Sequence, residues 1–254
     1  MRAGRVRVSG RICRDVEHAC RPDTPISLDA APVQALARIY IALNKPRGLL
    51  TTARDEQGRA SVYALLADAV LPWLAPVGRL DKASEGLLLM SNDSAWAAAL
   101  TDPARHLAKT YHVQVRGVPD ADVLARMRAG VRDGGELLAV HEVQLLRSGG
   151  RTAWLECVLH EGRNRHLRRL LQALGFEVLR LLRVAIGPLQ LGDLPRGAWR
   201  PLSPDEVQAL ARGAGLTSSP ARAAASPAAA RRSPPTAADA RGRSHAGRAP
   251  RGCR

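Results

Sequence analysis

Apolar and polar positions alternate from the start of the chain. Val6 and Val8 fall on one side, Arg5 and Arg7 on the other, which predicts a basic-faced strand ending in a turn at Ser9-Gly10. RPDTPISLDA, residues 21–30, reads as a turn and a second short strand, followed by a connecting segment to residue 38. IYIALNKPRG, residues 39–48, predicts a buried strand running into a Pro-Arg-Gly turn. Residues 61–70 predict a helix, GLLLMSN (86–92) a buried strand, and SAWAAALTD a helix starting at Ser94. KTYHVQVRG (109–117) alternates, with Tyr111, Val113 and Val115 on one face. PDADVLARMRAGV (119–131) predicts a helix with acids in its first turn, where the helix dipole favours them. GELLAVHEVQLLR (135–147) and RTAWLECVLH (151–160) read as two strands joined by Ser148-Gly149-Gly150. The pattern predicts an α+β fold, with a largely antiparallel mixed sheet flanked by helices.

The strongest period is in EGRNRHLRRLLQALGF, residues 161–176. Leu167, Leu170, Leu171 and Leu174 recur at helical spacing and form one apolar stripe. Asn164 is the expected cap and Gly175 the expected stop. Arg165 and Arg169 lie opposite the stripe, free to face solvent or phosphate. Arg168 lies at its edge and leans over whatever the helix packs on. A buried arginine needs an anionic partner, and Asp81 is a candidate.

Charge adds a partner class. The chain of 254 residues carries a net +15, mostly from arginine. Eight arginines and one acid fall after Gly213, which leaves +8 on residues 1–213. The body is therefore basic without its tail, and a phosphate polymer is the first partner to consider. Residues 213–254 are rich in Ala, Pro, Ser, Gly and Arg and predict a disordered tail. That tail could add phosphate affinity or be merely solvated. The four cysteines form no CxxC pair and the histidines no metal-ligand spacing, so no metal is expected. No run of 18 apolar residues predicts a membrane span, and the expected setting is cytoplasmic.

Chemistry concentrates in three segments: GRLDKASEGLLLMSND (78–93), KTYHVQV (109–115) and EGRNRHLRRLLQALG (161–175). In the first, Asp81 interrupts an apolar stretch. By themselves these residues also fit a surface carboxylate, a core tyrosine and a surface arginine. Together with NKPRG (44–48) and LLRVAIGPLQLGDLPRGAWRPLSPDEV (181–207), they resemble the pseudouridine synthases of the ribosomal small-subunit type. The resemblance covers residues 39–212 and implies a pseudouridine-synthase-like catalytic domain. It implies that Asp81 is the catalytic aspartate, that Tyr111 packs on the extruded uracil, that Arg168 pairs with Asp81 and that Arg79 contacts RNA beside the flipped base. Lys45, Arg47, Lys109, Arg165 and Arg169 are candidates for the RNA backbone. His166 departs from the family, which usually has Gln or Glu there.

The residue types suit the implied reaction. The uracil leaves C1′, rotates and rejoins through C5, with no redox change and no group lost, so no cofactor is expected. The step needs a carboxylate as nucleophile or base, an aromatic face for a base out of its stack, and cations along the backbone. The implied partner is ribosomal RNA or a pre-ribosomal particle; EGRNRHLRRL leans toward the large subunit, and a monomer is assumed. A catalytically silent RNA-binding or ribosome-assembly protein is the alternative. A nonspecific DNA binder has only the charge behind it. The family often begins with an alpha-L-type RNA-binding domain that ends in a hairpin like GRVRVSGRICRD. Residues 1–30 look like its second half, without the two preceding helices. Either the chain starts late in that domain or Met1 is not the true start.

Overall fold

The computed structural model describes residues 1–21, 23–33, 36–52 and 59–216. The predicted tail beyond Leu216 lies outside the described residues. At the N-terminus, β1 (Val6–Val8), β2 (Arg11–Ile12), β3 (Ile26–Leu28) and β4 (Ala31–Pro32) form a small antiparallel sheet in the order β2-β1-β3-β4. The alternation at Val6 and Val8 is met: both are half-buried while Arg5 and Arg7 are exposed. No described residue before Tyr40 is buried, so this sheet has no core of its own.

The main sheet has nine strands. In chain order it takes β5 (Tyr40–Lys45), β6 (Ala75–Val77), β7 (Glu85–Ser91) and β8 (Lys109–Arg116). The hairpin β9 (Val131–Asp133) and β10 (Glu136–Leu138) stands apart. Then come β11 (Glu142–Gly149), β12 (Thr152–Leu159), β13 (Val178–Ile186), β14 (Leu189–Gln190) and β15 (Trp199–Pro201). The strand order is β11-β12-β8-β13-β7-β5-β15, with β14 on β13 and β6 on β7. Every pairing is antiparallel except β13 with β7.

Helices α1 (Ser94–Thr101) and α4 (Pro204–Gly213) pack one core cluster, where Trp96 meets Tyr40 edge-on at 4.8 Å. Asp93 caps α1 through Trp96 N at 3.2 Å and accepts a bond from the Tyr40 hydroxyl at 2.8 Å. Helices α2 (Ala121–Ala129) and α3 (His166–Ala173) cover β8 and β12 in a second cluster, and a third gathers Ile41, Leu43, Leu80, Leu88 and Met90. The predicted leucine stripe of α3 is there: Leu167, Leu170 and Leu171 are buried, and Leu174 packs against them. Each such fully buried leucine contributes about 1.5–3 kcal/mol.

Four expectations need correction. Residues 61–70 make only a 3-10 turn at Val62–Leu65, which buries Val62 alone and has no side-chain cap. Residues 135–147 are two strands, because the chain turns a corner at Ala139 to bury Leu138 and Val140 under the helices. Asn164 does not cap α3: Arg165 takes a left-handed φ of 51° at the N-cap position, and the helix starts at His166. Gly175 does end it, with Gly175 N bonding Gln172 O and Phe176 N bonding Leu171 O, the paired closure of a Schellman motif. The ordered chain also runs past the expected boundary at 213, since Ala214 is buried and Leu216 packs on the first core cluster.

The parallel pair β7/β13 shapes what lies beside it. Gly86 sits at φ 103°, and a Cβ there would lie 2.3 Å from Arg183 O. Only glycine lets β13 approach the start of β7, directly after the loop that carries Asp81.

Candidate active site

The loop Gly78–Ser84 joins β6 to β7 and is held almost entirely by its own carbonyls. Thr51 Oγ1 donates to Leu80 O at 2.6 Å. Lys45 Nζ donates to Asp81 O at 3.2 Å and to Ser84 O at 2.9 Å. Gly48 N donates to Lys82 O at 2.7 Å, and Arg168 Nη2 to Ala83 O at 2.9 Å. Ser84 N closes the turn onto Asp81 O at 2.9 Å. Leu80 is buried in the core, so the next side chain, Asp81, is turned out into a cleft. The Asp81 carboxylate makes no hydrogen bond or salt bridge to the described residues.

The cleft has a larger open part of about 510 Å³ and a smaller part of about 290 Å³, and Arg79, Leu80, Asp81, Asn164 and Arg165 line both. The smaller part is walled by Tyr111, Leu159, Leu167 and Leu181. Tyr111 reaches it from β8, half-buried between two core clusters. Arg47 and Lys82 rim the larger part. Asp81 is the one acid among the described lining residues, against Arg47, Arg79, Lys82, Arg163 and Arg165. One carboxylate beside an aromatic ring in a cationic cleft can act on a neutral base while the rim holds a polyanion.

Asp81, Tyr111, Arg79, Arg47 and Arg165 are thus brought together. Lys109 lies on Tyr111's face of β8, half-buried, and burial and then Arg183 lower its pKa. Three assignments change. Lys45 is not a backbone contact: it is fully buried and its ammonium is spent on the carbonyls of Pro46, Asp81 and Ser84. Arg169 is not free for phosphate: its Nε holds Asp133 and its Nη1 holds Glu136, both at 2.6 Å, on the β9–β10 hairpin. Arg168 does lean into the packed side, but it makes no salt bridge with Asp81. It bonds the carbonyls of Ala83 and Val178 instead. It steadies the aspartate's loop through its backbone.

The departure at His166 is buried at 4% exposure. Both its ring nitrogens lack a hydrogen-bond partner, and Glu161 Oε1 stands 3.9 Å from Nδ1. Sequence reasoning missed Thr51 and Arg183. Thr51 stands three residues past the turn of IYIALNKPRG, with no pattern of its own to single it out. Arg183 is buried and donates to Leu87 O at 2.7 Å. Its signal was a second cation, after Arg180, in an otherwise apolar strand.

Arg168→Met is therefore expected to lower turnover more than Arg169→Met, with the same modified position. It leaves the half-buried Ala83 O without its donor, at a cost below the roughly 1–3 kcal/mol of a fully buried unpaired carbonyl. Single-turnover rates and melting temperatures of the two variants check this; equal rates would remove Arg168 from the site's support.

Comparisons with known proteins bear on the family and the fold. A family model described as RNA pseudouridylate synthase matches residues 39–173. A protein of Aquifex aeolicus named as an uncharacterized RNA pseudouridine synthase is 37% identical over 84% of this chain and 86% of its own length. The ribosomal large subunit pseudouridine synthase B of Bacillus subtilis is 32% identical over 83% of this chain and 86% of its own. A crystal structure of a pseudouridylate synthase superposes with a TM-score of 0.61 at 26% identity, covering 82% of this chain and 90% of that one. By fold, by the match to more than half its length and by these relatives, the chain belongs to the RNA pseudouridylate synthase family.

Proposed function

We propose that this enzyme isomerises a specific uridine of ribosomal RNA, in the large subunit, to pseudouridine. The observation that carries this reading is the convergence of Asp81, Tyr111 and the arginine rim on one cleft. Large-subunit relatives such as the Bacillus subtilis protein support the choice of RNA.

In this reading the target nucleotide is extruded from its stack, and Tyr111 packs against the uracil. Arg79 fills the space beside the extruded base, while Arg47 and Arg165 hold phosphates. Asp81 assists cleavage of the C1′–N1 bond as nucleophile or base. The freed base rotates, a C1′–C5 bond forms, the C5 proton leaves and N1 gains one. Atoms balance without an oxidant or a second substrate. The loop's carbonyl anchors keep the carboxylate fixed through these steps, which is what positioned acid–base or nucleophilic chemistry requires. The N-terminal sheet would act as the second half of an alpha-L-type RNA-binding domain, with Arg7 and Arg11 exposed on it.

The test is pseudouridine mapping of ribosomal RNA from cells with and without this protein. One large-subunit position should lose its pseudouridine and regain it when purified protein is added to the unmodified RNA. No lost position, or one in transfer RNA, would overturn the proposal.

A further inference from the structure

Three of the chain's seven histidines meet around His160, just past the end of β12. His141 and His160 stack with ring centroids 4.0 Å apart and planes 28° apart. His106 lies 6.1 Å from His160. Strand register places two of them beside Lys109. Glu142 opposes Val158, and Lys109 opposes Leu159. His141, His160 and Lys109 therefore sit at one end of three adjacent strands, β11, β12 and β8. His141 N bonds Val158 O at 2.9 Å, which fixes that end. His106 is held in a left-handed turn (φ 49°) and followed by buried Leu107, so its ring is displayed outward. The cluster adjoins the cleft: Leu159 and Gly162, on either side of His160, both line it.

We propose that His106, His141, His160 and Lys109 form a phosphate-holding platform for the RNA strand beside the target uridine, and that it grips RNA more tightly as pH falls. The proposal rests on the reading of this chain as an RNA uridine isomerase. Facing His160 are His141, His106, Lys109 and a single acid, Glu142. Burial, then His141, His106 and Lys109, hold the His160 pKa down, and Glu142 alone opposes them. Glu142 Oε1 is 3.8 Å from His141 Nε2 and largely exposed, so it compensates little of that charge. Protonating stacked imidazoles next to an ammonium is costly unless an anion joins them. A phosphate supplies that anion, so binding takes up protons and affinity rises as pH falls through the histidine range.

The experiment measures binding of the full chain to transcribed, unmodified large-subunit ribosomal RNA from about pH 8 to about pH 5.5, the range in which histidine titrates. Wild type is expected to tighten about tenfold, the effect of 1.4 kcal/mol. The double variant His141→Asn/His160→Asn is expected to tighten less than about twofold, with a salt slope shallower by about 0.7 for each phosphate it no longer neutralises. His141→Asn alone changes a side chain that is 53% exposed and cannot undo the core, so it keeps the comparison valid if the double variant melts early. It should lose part of the pH response. Equal pH responses in wild type and both variants would overturn the platform. Pseudouridine on the same RNA is scored separately. If it forms while the pH responses are equal, the platform fails and the isomerase reading stands. If none forms, the isomerase reading fails, and the binding comparison still decides the platform.

Discussion

Asp81→Asn should abolish pseudouridine formation while RNA affinity stays within a few-fold of wild type. The amide keeps the shape of the carboxylate and removes its charge, its basicity and its nucleophilicity. A positioned acid–base group contributes about 10²–10⁴-fold and a nucleophile more, so a loss of at least about 10³-fold is expected. The geometry says why binding should survive. The loop is held by the carbonyls of residues 80 to 84, through Thr51, Lys45, Gly48 and Arg168, and none of these bonds uses the Asp81 side chain. The cationic rim is untouched, and removing the one described acid from the cleft favours a polyanion slightly. Single-turnover assays with matched binding measurements decide it. A variant that still forms pseudouridine at a comparable rate would exclude Asp81 as the catalytic group. A variant that no longer binds RNA would make Asp81 a binding or folding residue.

Elements with a clean period were legible before any coordinates. β5 and β7 fall where buried apolar runs put them, and β8, β12, α1 and α2 fall where the sequence pattern puts them. The wheel of α3 also gave the right side for Arg168. Its partner was beyond reach, since a pattern can say that a buried guanidinium needs acceptors but not that they are the carbonyls of Ala83 and Val178. Arg169 shows the converse. It lies opposite the stripe, as expected, yet a hairpin more than thirty residues upstream folds back to supply Asp133 and Glu136. Boundaries failed where backbone conformation rather than composition set them, as at the left-handed Arg165 and the corner at Ala139. The cleft was legible only through the resemblance. Nothing in local spacing brings residues 47, 81, 111 and 165 together; the strand order does.

Lys45 shows most plainly how a site can misread locally. Beside Pro46 and Arg47 it looks like a solvated turn residue, yet it is fully buried. Lys45→Met should destabilise the fold by about 1–3 kcal/mol and lower turnover as well. Methionine matches the stem but leaves Ser84 O without its donor and Asp81 O with only Ser84 N, at about 1–3 kcal/mol for each buried group left unpaired. Loosening the aspartate's backbone then misplaces the carboxylate. The wild-type lysine also carries a pH signature. Burial, opposed by Asp81 and Glu85 and reinforced by Arg183, lowers its pKa from 10.5 to about 8. Between those values the unfolded chain binds the proton and the folded chain has released it, so this group makes stability rise with pH from about 8 toward 10.5. Below about 8 the folded state carries the full cost of the buried charge. Denaturant unfolding of both proteins across that range should show the rise in wild type and its absence in Lys45→Met, superimposed on a lower stability for the variant throughout. A variant as stable as wild type, with an unchanged pH profile, would mean the bonds to Asp81 O and Ser84 O do not hold the loop.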